Sequence, residues 1–315
     1  MTTMAPPMAM PNNDLLTGAE WAPEDLKTLL RLTGDCKAHP ERYSSALRGK
    51  SFALVFEKPS LRTRVTFEVG IQSMGGAVIF LDHTQAGRLG ERESIPDVAR
   101  NLDRWVQGII ARVYDQRVLE ELAAHAKVPV INALSDRFHP CQALADVFTL
   151  EEKFGSLHGF KLAYVGDGNN VCHSLLHAGS RVGLHLVIST PPKYEPAAEV
   201  VAAARQVAAQ TGAKVELFRD PRKAVAGAQG VYTDAWTSMG FESEAVAREA
   251  VFRPYEVDSQ LMACAAPGAV FMHCLPAHRG MEVTAEVLDG PQSIALDQSE
   301  NRMHVQKAIL LTLMG

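Results

Sequence analysis

Cysteine is scarce in this chain: five of 315 residues, an odd number. Cys36, Cys141, Cys172, Cys264 and Cys274 lie far apart, with no Cys-x-x-Cys pair. A disulfide framework and a zinc knuckle are excluded, and a reducing compartment is implied. Long apolar runs are missing as well, since none approaches the roughly 20 residues that a membrane-spanning helix needs. The first eleven residues have no basic n-region and no apolar core, so they read as a frayed tail and not as a signal peptide. Nor is there an excess of positive charge. With 31 Lys and Arg against 36 Asp and Glu, the net charge is −5, and nothing global favours nucleic acid or an acidic membrane surface. The expectation is a cytoplasmic protein with no nucleic-acid or membrane partner. An anionic substrate would have to be held by local positive charge.

What is present is ordinary globular composition, 47% apolar and 21% charged. The length suits one large or two medium domains, each with its own core. A helical pattern runs from Asp14 to Leu47, with Pro23 suited to a first turn. Strands are then expected at Ser51–Phe56, Ala77–Leu81, Gly108–Val113 and Val128–Leu134, alternating with helices that include Ser94–Trp105 and Arg117–Ala126. After a longer helix, His139–Phe154, the glycine-flanked segment 155–159 is the candidate domain boundary. The alternation restarts with strands at Lys161–Val165, His185–Ser189, Lys214–Phe218, Gly230–Ala235, Ala269–Cys274 and near Ile294–Leu296, and closes on a helix, Asn301–Met314. Strands alternating with helices of this length mean βαβ units and parallel sheets, an α/β chain of two domains.

The stretch Ser60-Leu61-Arg62-Thr63-Arg64 sits where a strand passes into a helix. Unpaired backbone N–H groups, two hydroxyls and two guanidinium groups there suit a multiply charged oxyanion, most plausibly phosphate. An N-cap followed by two solvated arginines explains the same residues.

Other polar motifs also follow strand ends, where parallel sheets bind ligands. Arg112 ends one strand, and His139 and Gln142 open the helix after another. Gly166-Asp167-Gly168-Asn169-Asn170, Asp234-Ala235-Trp236-Thr237-Ser238-Met239-Gly240 and His273-Cys274-Leu275-Pro276 follow three more, and Arg302 stands near the last. The pair of glycines lacks the third that a dinucleotide fingerprint carries, which weakens a nicotinamide-dependent reading. Cys274 after an apolar strand fits a packed small side chain as well as a reactive one. His273 beside Cys274 suggests a metal, but neighbours on a strand point to opposite faces, so no metal and no cofactor is expected. Together, the first half offers cations for a phosphorylated carbonyl compound. The second half offers Asn170, Asp234 and Ser238 for an amino acid, with chemistry expected in the cleft between the domains.

In this order and spacing, the motifs Ser-Leu-Arg-Thr-Arg, His139-Pro-Cys-Gln142, Asp167-Gly-Asn-Asn170, Asp234-x-Trp-x-Ser-Met-Gly240 and His273-Cys-Leu-Pro-Ala-His-Arg-Gly280 closely resemble the ornithine carbamoyltransferase family. The resemblance implies transfer of the carbamoyl group of carbamoyl phosphate to the δ-amino group of L-ornithine, giving L-citrulline and phosphate in arginine metabolism. It implies a carbamoyl phosphate domain over residues 1–150, an ornithine domain over 151–298, and a C-terminal helix, 299–315, returning to the first. It implies a homotrimer or a multiple of trimers. Carbamoyl phosphate falls to Ser60, Leu61, Arg62, Thr63, Arg112, His139, Gln142 and Arg302. Ornithine falls to Asn170, Asp234, Ser238, Met239, Cys274 and Leu275. Of these, Cys274, Asp234, Arg112 and His139 carry the chemistry, with Arg62, Arg112 and His139 as an oxyanion hole and Cys274 as proton acceptor and orienter rather than covalent nucleophile.

Two positions depart from the family pattern. Leu61 replaces the commoner Thr, which removes a hydroxyl from the turn but leaves its N–H; relatives with Leu include some that use acylated ornithines. Arg88 falls where a Gln or His usually reaches a neighbouring subunit's carbamoyl phosphate, so it can offset that loss with a full charge. The competing readings are a carbamoyltransferase for putrescine or an acylated ornithine, a silent scaffold paralogue, and a nicotinamide-dependent oxidoreductase.

Overall fold

The structure is a computed structural model that describes residues 14–82, 88–237 and 244–314. The chain forms two compact units. One runs to Leu144 and takes in the chain again from Arg302; the other is Ala145–Asn301.

The first unit is built on a four-stranded parallel sheet: β1 (Ser51–Phe56), β2 (Ala77–Asp82), β3 (Gly108–Arg112) and β4 (Val130–Leu134), in the order β2-β1-β3-β4. β1 and β3 are central and apolar, with Phe52, Leu54, Ile109 and Ile110 fully buried. Each such side chain contributes ~1.5–3 kcal/mol to folding. Helices α1 (Pro23–Ala38), α2 (Leu61–Ser73), α3 (Ile95–Leu102) and α4 (Gln116–His125) belong to this unit, and α5 (Pro140–Phe154) begins in it. The expected helical run from Asp14 is shorter than its pattern suggested, because Leu15 bridges to Ile131 and extends the sheet past β4.

The second unit holds a five-stranded parallel sheet: β5 (Lys161–Val165), β6 (His185–Ser189), β7 (Lys214–Phe218), β8 (Gly230–Thr233) and β9 (Val270–His273), in the order β7-β6-β5-β8-β9. Its helices are α6 (Asn170–Arg181), α7 (Ala198–Thr211), α8 (Pro221–Val225), α9 (Ala245–Phe252), α10 (Ser259–Met262) and α11 (Ala285–Leu288). The last helix, α12 (Ala295–Met314), begins in this unit and ends in the first.

The strand expected near Ile294–Leu296 is not formed. Ser293 makes a single bridge to Phe271, and the Gln298 N–H then donates to the Ile294 carbonyl at 3.0 Å, which starts α12. Helix α9 was not anticipated, because its apolar residues do not segregate by exposure: Phe252 is buried while Val246 is 84% exposed.

In each sheet the strand order reverses beside the first strand laid down, between β1 and β3 and between β5 and β8. Chain connections leave opposite ways at such a point and open a crevice beyond the carboxyl ends of the two strands. The register pairs Phe56 with Arg112 in one sheet and Tyr164 with Tyr232 in the other. The polar motifs follow directly after those positions.

Candidate active site

In the first unit the turn after β1 is an N-cap. Ser60 is extended, and its hydroxyl oxygen accepts the Thr63 N–H at 3.2 Å, closing the first turn of α2. Thr63 is buried, and its Oγ1 accepts from Arg302 Nη2 at 2.8 Å, a contact between residues 239 apart in sequence. Arg112 reaches the same region through an irregularity in sheet register between Ala111 and Arg112, which shifts its partner on β4 to Leu134. His139 is 4% exposed, and its carbonyl accepts the N–H groups of Gln142 and Ala143 at the start of α5. The loop carrying it is set by Ser135, whose hydroxyl donates to Gln116 at 2.6 Å and accepts from the Phe138 N–H at 3.0 Å.

The electrostatics follow from burial. Desolvation first, then the Arg302 and Arg112 charges, hold the His139 imidazole well below the ordinary histidine range. His139 is therefore neutral at neutral pH, a hydrogen-bonding group among fixed cations. Two helix N-termini, those of α2 and α5, add positive dipole ends. Gln142 is fully buried, Arg62 half-buried in the first turn of α2. Arg64 is engaged elsewhere: it pairs with Glu68 at 2.8 Å and lies 3.7 Å over the Phe80 ring, so one of the two arginines is a surface contact. Leu61 is 75% exposed. Arg88 is exposed, its guanidinium 4.5 Å over the Tyr114 ring of its own chain. Cys141 is an inert buried thiol, pushed up to about 12 mainly by burial.

In the second unit the site is a carboxylate held from two sides. Asp234 follows β8. One of its oxygens accepts from Asn169 Nδ2 at 2.7 Å, and the other lies 2.9 Å from Cys274 Sγ, where the thiol donates. Asn169 also caps α6, its Oδ1 accepting from the Val171 and Cys172 N–H groups. Asn170, the residue expected from the motif, is the first residue of that helix and is nearly buried. Gly168 has a packing role: a Cβ there would lie 2.2 Å from the Pro196 nitrogen. That is close approach of two chain segments and gives no support to a dinucleotide fingerprint.

The segment after β9 is held by buried charge. Leu275 adopts the left-handed region, with φ 57°. Its N–H donates to His273 Nδ1 at 2.9 Å, while His273 Nε2 faces Glu282 at 3.2 Å. The first contact makes Nδ1 an acceptor, so the proton lies on Nε2 and is donated to Glu282. His273 and Glu282 are both fully buried. Burial opposes the Glu282 charge, but the His273 ring and the His278 N–H hold its pKa below the ordinary value. The ligand atoms of Asp234, His273 and Cys274 lie within 4.8 Å of one another. Strand alternation does not keep His273 and Cys274 on opposite faces, because β9 ends at His273. Both His273 nitrogens are nevertheless committed, so a metal there would cost the Leu275 or the Glu282 bond.

Cys274 is thus a hydrogen-bond partner that orients the Asp234 carboxylate. Ser238 and Met239 lie outside the described residues. Sequence reasoning missed Asn169, Glu282 and Arg248. Arg248, on α9, is 8% exposed; it pairs with Asp167, donates to the Trp236 carbonyl at 2.6 Å and lies over the Tyr194 and Phe252 rings. Asn169 was next to a chosen residue. Arg248 had no local signal.

The family comparisons agree with this division of chemistry. Residues 13–152 match the family model of the aspartate/ornithine carbamoyltransferase carbamoyl-P binding domain, and residues 158–313 that of the Asp/Orn binding domain. The chain belongs to the aspartate/ornithine carbamoyltransferase family. Among its relatives, ornithine carbamoyltransferase of Thermococcus kodakarensis is 47% identical over 313 residues, covering 98% of each chain. The solved ornithine carbamoyltransferase of Pyrococcus furiosus superposes with a TM-score of 0.94 at 47% identity, over 98% of this chain and 99% of that one. A solved N-acetyl-L-ornithine transcarbamylase is more distant, with 33% identity and a TM-score of 0.86 over 95% and 99%.

Proposed function

We propose that this chain transfers the carbamoyl group of carbamoyl phosphate to the δ-amino group of L-ornithine, giving L-citrulline and phosphate in arginine metabolism. The observation that carries the reading is Asp234, a nearly buried carboxylate oriented by Asn169 and Cys274. It is a receptor for a cationic amino acid, where a scaffold protein would have no reason to bury charge.

The first unit supplies the electrophile. Phosphate oxygens take the N-terminal turn of α2 at Ser60–Thr63, with Arg62 and Arg302; Gln142 takes the carbamoyl amide. Arg112 and the neutral His139 donate to the carbamoyl oxygen, which becomes negative as the amine attacks. Because these donors are already placed, the step needs little reorganisation. The second unit supplies the nucleophile, with Asn170, Asp234, Ser238 and Met239 on ornithine and Leu275 against its side chain. The δ-amine attacks in its neutral form, after releasing one proton to solvent; a C–N bond forms, the C–O bond to phosphate breaks, and the proton then carried on the cationic nitrogen of the adduct passes to the departing phosphate. Asp234 and Cys274 orient the amine, and no covalent intermediate is used.

The chain works in the cytoplasm as a homotrimer or a multiple of trimers. Leu61, Val65 and Val69 recur at four-residue spacing on α2 and are 45–75% exposed, and Ile79 on the edge strand β2 is 48% exposed. Such a face suits burial against another copy. Among the described residues, no helix is long and apolar enough to cross a membrane.

Citrulline formation from carbamoyl phosphate, assayed beside N-acetylornithine and putrescine as acceptors, tests the reaction. Ornithine is the expected substrate, and carbamoylation of either rival with ornithine inert would overturn it. Sedimentation equilibrium tests the trimer, and a monomeric mass would reject it.

A further inference from the structure

Two tyrosines stand side by side on the second sheet, Tyr164 on β5 and Tyr232 on β8, in register with one another. Their rings stack, with centroids 5.6 Å apart and planes 29° from parallel, and both side chains are fully buried. The hydroxyls differ. Among the described residues, the Tyr232 hydroxyl has no hydrogen-bond partner. The Tyr164 hydroxyl lies 3.2 Å from Asn169 Oδ1, to which it donates.

The Asn169 amide can sit only one way round. One of its terminal atoms faces the Val171 N–H at 3.0 Å and the Cys172 N–H at 3.2 Å, and backbone N–H groups only donate, so that atom is the oxygen. Nδ2 is thereby turned to Asp234, 2.7 Å away. The two backbone donors already fill the two lone pairs of a carbonyl oxygen, so the α6 cap is complete without the phenol. A third donor on the same oxygen acts on the other end of the amide: it draws charge toward Oδ1 and strengthens the hydrogen bond that Nδ2 gives. A line of contacts therefore runs from Tyr164 through Asn169 to Asp234, whose second oxygen takes the Cys274 thiol.

We propose that Tyr164 is a positioning residue that acts through Asn169 to fix the Asp234 carboxylate for the cationic group of the amino-acid substrate. The inference rests on the reading of the second unit as the ornithine domain. It gives the buried phenol a part in substrate recognition at one remove from the substrate, and it gives the neighbouring Tyr232 hydroxyl none.

A double-mutant cycle in the full chain tests this. Tyr164→Phe keeps the ring and its stack but removes the donor; it should raise the ornithine KM by roughly fivefold and leave the carbamoyl phosphate KM within about 1.5-fold. In the Asn169→Ala background the same substitution should change the ornithine KM by less than about 1.5-fold, because the route to Asp234 is already cut. Tyr232→Phe, which removes the unpartnered hydroxyl from the same stack, should match the parent. A parent-like ornithine KM in Tyr164→Phe would overturn the proposal. So would an equal rise in the Asn169→Ala background, the result that a purely structural role gives. If Tyr164→Phe does not fold, parent and Asn169→Ala chains labelled with 13Cζ-tyrosine decide the matter. Ornithine is expected to shift the Tyr164 resonance in the parent only, and no shift there, or equal shifts in both, rejects the route. Should the parent form no citrulline, the functional reading fails on its own. Urea midpoints across the same cycle then judge the Tyr164–Asn169 link: non-additive changes uphold it and additive ones reject it.

Discussion

Asn169 donates from Nδ2 to Asp234 at 2.7 Å while its Oδ1 accepts the Val171 and Cys172 N–H groups at 3.0 and 3.2 Å. One amide thus caps α6 and orients the carboxylate across the β5–β8 switch point. Asn169→Ala removes both functions, whereas Asn169→Asp keeps the cap and sets a second negative charge against Asp234. The alanine variant should lose about 1 kcal/mol of stability, and the aspartate variant less. Both should lose roughly 100-fold in kcat/KM for ornithine, with the carbamoyl phosphate KM nearly constant. A parent-like ornithine KM in Asn169→Asp would show that the amide does not orient Asp234.

Gly168 is set against residues 195 and 196, with the Pro196 nitrogen 2.2 Å and the Glu195 carbonyl carbon 2.5 Å from the site of a Cβ. Both neighbours are backbone and cannot rotate away. Gly168→Ala should destabilise the chain by about 3 kcal/mol, seen as a lower denaturant midpoint. A midpoint equal to the parent's would mean that the close approach is relaxed in solution.

Arg248 joins the Asp167 carboxylate to the Trp236 carbonyl from α9. Arg248→Gln should raise the ornithine KM by roughly tenfold and leave the carbamoyl phosphate KM within twofold. Burial, offset by Arg248, raises the Asp167 pKa to about 6. Protonation below that pH weakens the pair, so the ornithine KM should rise on the acid side. Asp167→Asn, already uncharged, should show no such rise; an identical acid limb in parent and variant would reject the link.

His177 should make the protein acid-labile. Burial first, then Arg181 and His173, lower its pKa from 6.5 to about 4. Between those values the unfolded chain takes a proton that the folded chain refuses. The contribution is therefore complete above pH 6.5 and is lost as pH falls to about 4, at up to ~1.4 kcal/mol per pH unit. Asp167 acts with the opposite sign: its raised pKa favours the folded state as pH falls from about 6 toward 3.8. Urea titrations of parent and His177→Gln at several pH values isolate the histidine, and the parent should lose stability faster below pH 6.5. Parallel curves would show that His177 is not buried neutral.

The Cys274 thiol donates a hydrogen bond to Asp234 at 2.9 Å. Cys274→Ser keeps a donor and should retain activity within about tenfold, whereas Cys274→Ala should lose roughly 100-fold in kcat. Rapid quench with carbamoyl phosphate should yield no adduct on the parent enzyme. A carbamoyl-thioester on Cys274 would replace the direct-transfer mechanism with a covalent one.

Much of the architecture was legible locally. The runs Ser51–Phe56 and Lys161–Val165 are strands: short, nearly continuous apolar runs bounded by polar or glycine-rich segments suit buried parallel sheet. Ser60 reads as a cap because its hydroxyl needs only the N–H three residues on. The elements that misled were those whose state depends on remote packing. Ile294 is apolar and follows a turn, yet α12 claims the next residue, since Phe271 offers a single bridge at Ser293. In the site, the motif marks Asn170 as an ornithine contact, and the fold adds that its neighbour Asn169 is the amide that reaches Asp234. Adjacent residues in a tight turn differ by direction, and direction is invisible in a string of letters.

The chain's letters settle which residue types are available, and their spacing settles strands, caps and family. Those properties come from interactions within a few residues, where backbone geometry leaves little choice. The placing of Arg302 on Thr63, 239 residues away, and of Arg248 on Asp167, 81 residues away, belongs to the fold alone. So does the neutrality of His139, which requires burial together with two arginines from different elements. Strand order creates these meetings within each unit: its switch point collects side chains that no local rule connects, and burial there turns ordinary residues into preorganised polar groups.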